Sequence, residues 1–262
     1  AIRDGVQKVA VDDIQNVPYE TLTIHAHEGH TRAVMKIQEG CDNRCAYCII
    51  PSVRGPIRSR TLEDIRTEAQ ALSDAGFGEL VLTGIHLTSY GRDLADKPTL
   101  ADAVHAVCGC EGVNRVRLGS LEPIVANDAF VASVGQLNQL CPQFHLALQS
   151  GSDAVLRRMK RRYNTTQFMA AVERLRAVWP KAAFTTDVIV GFPGETDEDF
   201  ADTMDLATQV GFGKIHAFKY SKRPGTPAAT MEGQIPESVK KQRSQDLIAL
   251  GDEIANAFLQ AH

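Results

Sequence analysis

Short apolar runs alternate with helix-forming segments six times between residues 33 and 232 of this 262-residue chain. Such runs are typical of buried parallel strands, and the segments between them begin with residues that cap helices. We predict strands at 33–38, 79–84, 113–119, 144–149, 182–191 and 214–220. We predict helices at 61–75, 98–107, 126–140, 152–159, 165–178 and 196–210. This order predicts an α/β fold, an incomplete (β/α)6 parallel barrel, because a complete barrel needs eight such units.

The two ends of the chain differ in pattern from the barrel at 33–232. Residues 1–32 are polar and weakly patterned, except that residues 21–27 alternate like one strand of a hairpin. We interpret 1–32 as a linker from a domain upstream. Residues 233–262 predict a long amphipathic helix that begins after Pro236.

The composition excludes some classes of protein. The chain is 44% apolar and 23% charged, as ordinary globular proteins are, and it holds no apolar run of about 20 residues that could span a membrane. Without a signal peptide at its start, we expect reduced cysteines and a cytoplasmic location. A net charge of −4 does not indicate a nucleic-acid binder, so any RNA contact must come from a local basic cluster.

Three of the six cysteines stand close together in the loop after the first predicted strand. Cys41, Cys45 and Cys48 are four and three positions apart. Thiolates are the usual ligands of iron–sulfur clusters, and a four-iron cluster normally takes four of them. Three thiolates therefore leave one iron open, as a catalytic zinc ion keeps a position open for substrate. The amine and carboxylate at the methionyl end of S-adenosylmethionine would fill that position.

Two other interpretations of the cysteine loop stay open at this point. The loop could be half of a zinc site, although only Cys108 and Cys110 offer a further thiol ligand. The three residues could also be unrelated core cysteines. We interpret Cys108, Cys110 and Cys141 as buried, inert thiols, because free cysteine is commonly buried.

Other predicted strands carry polar residues at their carboxyl ends, where sites in barrel-like sheets gather. Glu122 would hold the amine of such a ligand, and Arg161 would hold its carboxylate through the planar guanidinium. Gln149 and Ser150 suit ribose hydroxyls. Adenine needs a flat face and close backbone edges, which an aromatic ring and glycine supply; for Tyr47, packing in the core is an equal alternative. The predicted cofactor-binding residues are Tyr47, Gly84, Glu122, Gln149, Ser150, Arg161 and Gly191.

Several motifs of the chain resemble those of one enzyme family, the radical S-adenosylmethionine methylthiotransferases. The similar segments are the cysteine loop with its flanks at 38–55, and 83–87, 148–153, 159–163, 185–196 and 223–229. Within this family, residues 41–45 and 83–86 most resemble the tRNA threonylcarbamoyladenosine methylthiotransferases. The resemblance covers roughly residues 30–245 and is highly specific to the superfamily.

The resemblance implies an activity, its cofactors and its partners. A 4Fe-4S cluster on Cys41, Cys45 and Cys48 would cleave S-adenosylmethionine reductively, and the deoxyadenosyl radical would take hydrogen from C2 of threonylcarbamoyladenosine beside the anticodon of tRNA. A methylthio group would then be installed there. The reaction needs an electron donor such as flavodoxin or ferredoxin. Arg54 and Arg58, which follow the cysteine loop, are our candidates for neutralising tRNA phosphates.

The resemblance also implies two parts that this chain does not contain. The family has an amino-terminal domain whose cysteines hold a second 4Fe-4S cluster, and a carboxyl-terminal RNA-binding module, towards which residues 233–262 would lead. We therefore expect this chain to be the central radical S-adenosylmethionine domain only. It would bind one cluster and cleave the cofactor slowly, without completing methylthiolation.

Two alternatives to this function remain. A related enzyme of the same branch would act on isopentenyladenosine in tRNA or on an aspartate of a ribosomal protein. A protein of another class would be an RNA-binding module that is stabilised by metal and has no catalytic activity.

Overall fold

The computed structural model describes Ile14, Val17, Tyr19 and residues 31–261. The strand predicted at 21–27 lies outside these residues. The described strands are β1 (Ala33–Glu39), β2 (Arg58–Ser59), β3 (Glu79–Gly84), β4 (Arg115–Leu118), β5 (Gln143–His145), β6 (Ala183–Val190) and β7 (Lys214–Lys219). The α-helices are α1 (Ile50–Arg54), α2 (Leu62–Asp74), α3 (Leu100–Cys108), α4 (Asp128–Val134), α5 (Asp153–Arg158), α6 (Thr165–Val178), α7 (Asp197–Val210) and α8 (Glu237–Gln260).

Six parallel strands follow one another in chain order, with the short antiparallel strand β2 added at the β1 edge. Their hydrogen bonds form two sheets, β2-β1-β3-β4 and β5-β6-β7. Isolated parallel bridges from Val116 to Leu140 and from Leu121 to Leu146 join the two sheets. The predicted partial barrel is confirmed, and between β4 and β5 the strands pair at isolated residues only.

The structure corrects the predicted bounds of two elements. The helix predicted at 126–140 is α4, which begins after Asn127, whose side chain accepts a hydrogen bond from the Phe130 amide, and ends at Gly135. The strand predicted at 144–149 is regular only as far as His145. Gln149 has a φ of 68°, a left-handed conformation that a regular strand cannot accommodate.

Strand β6 shows why the two faces of the sheet differ chemically. Its residues alternate between full and partial burial, so Phe184 and Val188 are completely buried in the core beneath the helices. Asp187 and Ile189 take the alternate positions and line open cavities on the other face. Side chains of successive strand residues point to opposite faces, so a polar residue at every second position is delivered to the concave surface.

The long helix α8 packs on β7 and on the loop after β6. Arg243 donates to Glu195 Oε1 and to Asp197 Oδ1, both at 2.6 Å, and Leu247 is completely buried. Glu195 in turn accepts a hydrogen bond from the Gly191 amide at 2.8 Å. The helix thereby fixes the carboxyl end of β6. In the described part of the chain, no helix has the length and apolar character needed to cross a membrane.

Candidate active site

The cysteine loop is held to the barrel by backbone contacts at both ends. Gly40 begins it with a φ of 71°, and a Cβ at this position would lie 1.8 Å from the Pro56 carbonyl oxygen. Only glycine fits there. Farther along, the Ala46 amide donates to the Met159 carbonyl at 2.9 Å. Backbone contacts thus help to define the path of the loop.

All three thiols of the loop line one cavity of about 260 Å³ at the carboxyl edge of the sheet. Arg161 Nη1 donates to Cys45 Sγ at 3.0 Å, and the Ile50 amide donates to Cys48 Sγ at 3.4 Å. Burial is the largest influence on Cys41 and raises its pKa to about 11; burial also raises the pKa of Cys48. In the absence of metal these two thiols are protonated, and metal ligation would deprotonate them.

The three thiols are not gathered as closely as the ligands of a single metal ion would be. Ligands of one zinc ion, with Zn–S bonds of about 2.3 Å, lie roughly 3.8 Å apart in a tetrahedron. Among the described residues, the one group of three or more potential ligands whose atoms all lie within 4.8 Å of one another is His145, Asp187 and His216. The cysteine sulfurs do not converge that closely, which is expected where each thiolate binds a different iron.

A buried polar network connects the cysteine loop to the ends of β3 and β4 and to the segment after α5. Arg161 Nη2 donates to Glu122 Oε1 at 2.6 Å, with 6% and 5% of the two side chains exposed. Asn43 Nδ2 donates to the same oxygen at 3.0 Å, and His86 Nε2 lies 3.2 Å from Glu122 Oε2. Burial alone would raise the pKa of Glu122, but His86 and the Arg161 charge outweigh it, so this pKa is lowered. The Glu122 carboxylate is therefore ionised and held in place.

Four of the seven predicted cofactor-binding residues line the same cavity as the thiols. Glu122 and Arg161 do so while paired with each other, rather than standing apart to await the two ends of a methionyl group. Gln149 and Tyr47 line both this cavity and a neighbouring groove of about 400 Å³. The Tyr47 ring meets the Phe192 ring edge-on, with centroids 6.4 Å apart, so it packs in the core as well as facing the cavity.

The other three predicted residues do not line the cavity. A Cβ at Gly84 would meet the Gln38 side chain at 2.9 Å, so this glycine allows β1 and β3 to approach. The Ser150 hydroxyl accepts a hydrogen bond from the Ser152 amide at 3.2 Å. Gly191 has a φ of 70° and faces the Lys240 side chain. Their predicted contacts to a cofactor stay predictions.

Sequence reasoning missed Asn43, His86 and Asp187, all of which line the cavity. Asn43 lies within the cysteine loop and His86 within a strand-end motif, so their positions in these motifs were the signal that could have identified both. The signal for Asp187 was the alternation of β6, which places a carboxylate among residues of the concave face.

The two arginines predicted to meet RNA lie beside each other, Arg54 at the end of α1 and Arg58 at the start of β2. Arg54 is 56% exposed at its side chain, with Nη1 3.9 Å from Glu39 Oε1. Arg58 donates to the Arg54 carbonyl at 2.8 Å and to the Val17 carbonyl at 3.1 Å. Arg54 is thus available to a partner, whereas Arg58 also braces the chain before the barrel.

Fold and site together define a class of protein: a partial α/β barrel that presents three loop thiols to a cavity with room for an organic ligand. The sequence model of the radical SAM superfamily matches residues 35–207. The chain belongs to the radical SAM superfamily, and this membership implies a 4Fe-4S cluster and S-adenosylmethionine as cofactors.

Relatives with known names confirm the resemblance to methylthiotransferases. The chain is 43% identical over 240 residues to the threonylcarbamoyladenosine tRNA methylthiotransferase MtaB of Bacillus subtilis, covering 92% of this chain and 53% of the relative. It is 46% identical over 226 residues to a tRNA-2-methylthio-N(6)-dimethylallyladenosine synthase of a Parafrankia species, covering 86% and 46%. The chain therefore spans about half the length of the curated relatives it matches.

Solved structures agree on the fold. Coproporphyrinogen III oxidase (HemN) from Escherichia coli, described as a radical SAM enzyme, superposes with a TM-score of 0.61 at 15% identity, over 85% of this chain and 52% of that one. The methyltransferase TsrM from Kitasatospora setae gives 0.62 at 15% identity, over 75% and 37%. At these identities the likeness concerns the barrel alone.

Proposed function

We propose that this chain is the catalytic core of a tRNA methylthiotransferase that modifies threonylcarbamoyladenosine beside the anticodon. The observation that carries the proposal is the cavity in which Cys41, Cys45 and Cys48 meet. The similarity to curated tRNA methylthiotransferases across 92% of the chain supports the reaction type.

The residues of the cavity have distinct parts in this proposal. Cys41, Cys45 and Cys48 would hold the 4Fe-4S cluster, which supplies the electron that breaks the sulfonium bond of S-adenosylmethionine. Arg161 hydrogen-bonds the Cys45 sulfur and so tunes the charge on that ligand. Glu122 pairs with Arg161 and so keeps this guanidinium beside the Cys45 sulfur.

The thiol cavity adjoins a neighbouring groove. The thiol cavity and the neighbouring groove share Tyr47, Cys48, Ile50, Gln149 and Asp187 as walls. Cavities of about 300–1,000 Å³ are usual for bound small molecules, and the two spaces together fall in that range. S-adenosylmethionine would occupy the thiol side, and the target nucleoside would enter from the groove.

The charge of the groove favours the threonylcarbamoyl substrate. Lys219 and Arg223 line the groove, and the threonyl group ends in a carboxylate that these cations would attract. Dimethylallyladenosine is the second candidate, because the 46% match is to an enzyme named for that nucleoside and because Ile49 and Phe218 give the same groove an apolar part. An apolar tail gains nothing from Lys219.

Anaerobic reconstitution tests the radical chemistry. We expect the purified chain, loaded with iron and sulfide, to release deoxyadenosine from S-adenosylmethionine when dithionite or reduced flavodoxin supplies electrons. Cys45→Ala should bind less iron and release none. An iron-loaded protein that releases no deoxyadenosine with either reductant would instead favour an RNA-binding module without catalysis.

Nucleoside mass spectrometry of tRNA tests the substrate. Deleting the gene for this chain should remove the methylthio form of threonylcarbamoyladenosine and leave the methylthio form of dimethylallyladenosine unchanged. The reverse pattern would establish the second candidate, and loss of neither would exclude tRNA as the substrate. Complementation with the intact gene is the control.

A further inference from the structure

Three potential metal ligands meet on neighbouring strands, apart from the cysteine loop. His145 ends β5, Asp187 lies in the middle of β6 and His216 lies on β7. Parallel pairing sets Asp187 directly beside His216, and His145 beside Thr185, two residues before Asp187. The register therefore brings all three to one patch of the concave face, where their ligand atoms lie within 4.8 Å of one another.

We propose that His145, Asp187 and His216 bind one divalent transition-metal ion, separate from the cluster on the cysteines. Two imidazoles and one carboxylate form a donor set that suits zinc, iron, cobalt and nickel. Three protein ligands leave at least one coordination position for another molecule. This site is independent of the proposed function, since it uses none of the thiols.

The hydrogen bonds of His145 prepare its other nitrogen for a metal. Its Nδ1 lies 3.0 Å from Thr185 Oγ1, and Gln143 also donates to that hydroxyl oxygen, at 3.3 Å. With the hydroxyl oxygen accepting, Nδ1 carries the proton and Nε2 has a free lone pair. Histidines that ligate metals usually donate their second nitrogen in this way, which fixes the tautomer and the ring orientation.

The other nitrogen of His145 faces the Asp187 carboxylate without forming a hydrogen bond to it. His145 Nε2 is buried and forms no hydrogen bond in the described part of the chain, although Asp187 Oδ2 is 3.3 Å away. Two ligands on an ion with bonds of about 2.0–2.2 Å stand roughly 3.0–3.4 Å apart, depending on geometry. The spacing is therefore that of two ligands turned towards one point. The rings of His145 and His216, with centroids 6.0 Å apart, leave room for an ion between them.

The open position of this ion would face a ligand space. Asp187 lines both the thiol cavity and the groove beside it, whereas His216 is exposed on the concave face. An ion held between them would offer its free coordination position to a carboxylate, carbonyl or hydroxyl oxygen in the groove. The site thus marks a second point, besides the cysteine loop, at which the barrel can hold a ligand by coordination.

Cobalt binding to the cluster-loaded chain tests the site. Loading the cluster first occupies the three loop thiols, so that added Co²⁺ cannot bind them. We expect one further equivalent of Co²⁺, displaced by Zn²⁺, in an anaerobic titration followed by absorbance and calorimetry. His216→Ala should weaken this binding more than about tenfold, because it removes a direct ligand, and His145→Gln should do the same.

A matched histidine elsewhere provides the control. His105, an exposed residue of α3 whose Nε2 lies 3.0 Å from the Ser133 carbonyl oxygen, is not near the site, so His105→Ala should bind Co²⁺ as the parent does. Iron content and circular dichroism verify that each variant is folded. Absence of Co²⁺ binding in the parent, or binding that is unchanged in both His216→Ala and His145→Gln, would overturn the proposal. Neither result depends on whether the chain cleaves S-adenosylmethionine.

Discussion

The chain holds two sets of three cysteines, and they have different surroundings. The first set, the loop thiols, is Cys41, Cys45 and Cys48; the second set, the core thiols, is Cys108, Cys110 and Cys141. Burial raises the pKa of Cys41 and of Cys108 to about 11 in each case, so acidity does not separate the two sets. The loop thiols line a cavity and have Arg161 beside Cys45, whereas Cys110 Sγ is 3.4 Å from the Ala106 carbonyl oxygen inside the core.

Access to a cavity and a cationic neighbour therefore distinguish the loop thiols from the core thiols, whereas burial and number do not. Cys108 is the last residue of α3 and Cys141 comes shortly before β5, so both lie towards the amino ends of the strands. In barrels of this kind, residues at the amino ends of the strands contribute to stability, and active sites lie at the carboxyl ends. The core thiols thus lie at the end associated with stability, and the loop thiols lie at the end where active sites form.

Removing one thiol from each set should give the largest contrast. We expect Cys45→Ala to lose most of the iron bound after anaerobic reconstitution, because a cluster with two protein ligands is held poorly. Cys108→Ala should bind as much iron as the parent chain. Iron and sulfide counts per chain, with the absorbance of the cluster, measure both. Equal iron loss in the two variants would mean that the core thiols also serve the cluster.

Breaking the network behind the loop thiols should have the next largest effect. Arg161→Met leaves the Glu122 carboxylate buried without its main partner, and removing one member of a buried ion pair costs about 3–5 kcal/mol of folding free energy. Arg157→Met is the matched control, since Arg157 is exposed and surface substitutions usually stay within about 0.5 kcal/mol. Urea denaturation of the metal-free proteins measures the difference. Similar midpoints for the two variants would show that Glu122 finds another partner.

The sequence was sufficient for the barrel and for the cysteine loop, but not for the contacts across the sheet. Alternating apolar runs predict strands because side-chain periodicity is local. The pair formed by Arg161 and Glu122 spans 39 positions and depends on how the sheet curves. The convergence of His145 and His216 depends on strand register, which residue type alone does not give. The left-handed backbone of Gln149 is unusual for a residue other than glycine, so the early end of β5 was not predictable.

Acid should weaken the region of the loop thiols and leave that of the core thiols unaffected. The pKa of Glu122 is lowered on folding, so its stabilising contribution is complete above its unfolded pKa, about 4.3, and disappears as pH falls through the folded value. The stability gap between the parent and Glu122→Gln should therefore narrow as pH is lowered from about 6 towards 3. The gap between the parent and Cys108→Ala should stay constant, because a thiol with a pKa of about 11 does not titrate there. Urea unfolding midpoints measured from about pH 6 to about pH 3 test both expectations. A gap between the parent and Glu122→Gln that stays constant with pH would contradict the prediction for Glu122.

The smallest expected effect is on folding free energy, where the loss of a core thiol should matter more than the loss of a loop thiol. Cys108 is packed among core side chains, so Cys108→Ala should cost about 1 kcal/mol of folding free energy through the small cavity it leaves. Cys48 is only half-buried and borders open space, so Cys48→Ala should cost less than this in the metal-free protein while still reducing bound iron. Thermal or urea unfolding of both variants, measured beside their iron content, makes the comparison. The two sets have separate roles if Cys108→Ala lowers the folding free energy without lowering bound iron, and Cys48→Ala lowers bound iron with little change in folding free energy. A variant that lowers both quantities to a similar degree would contradict separate roles.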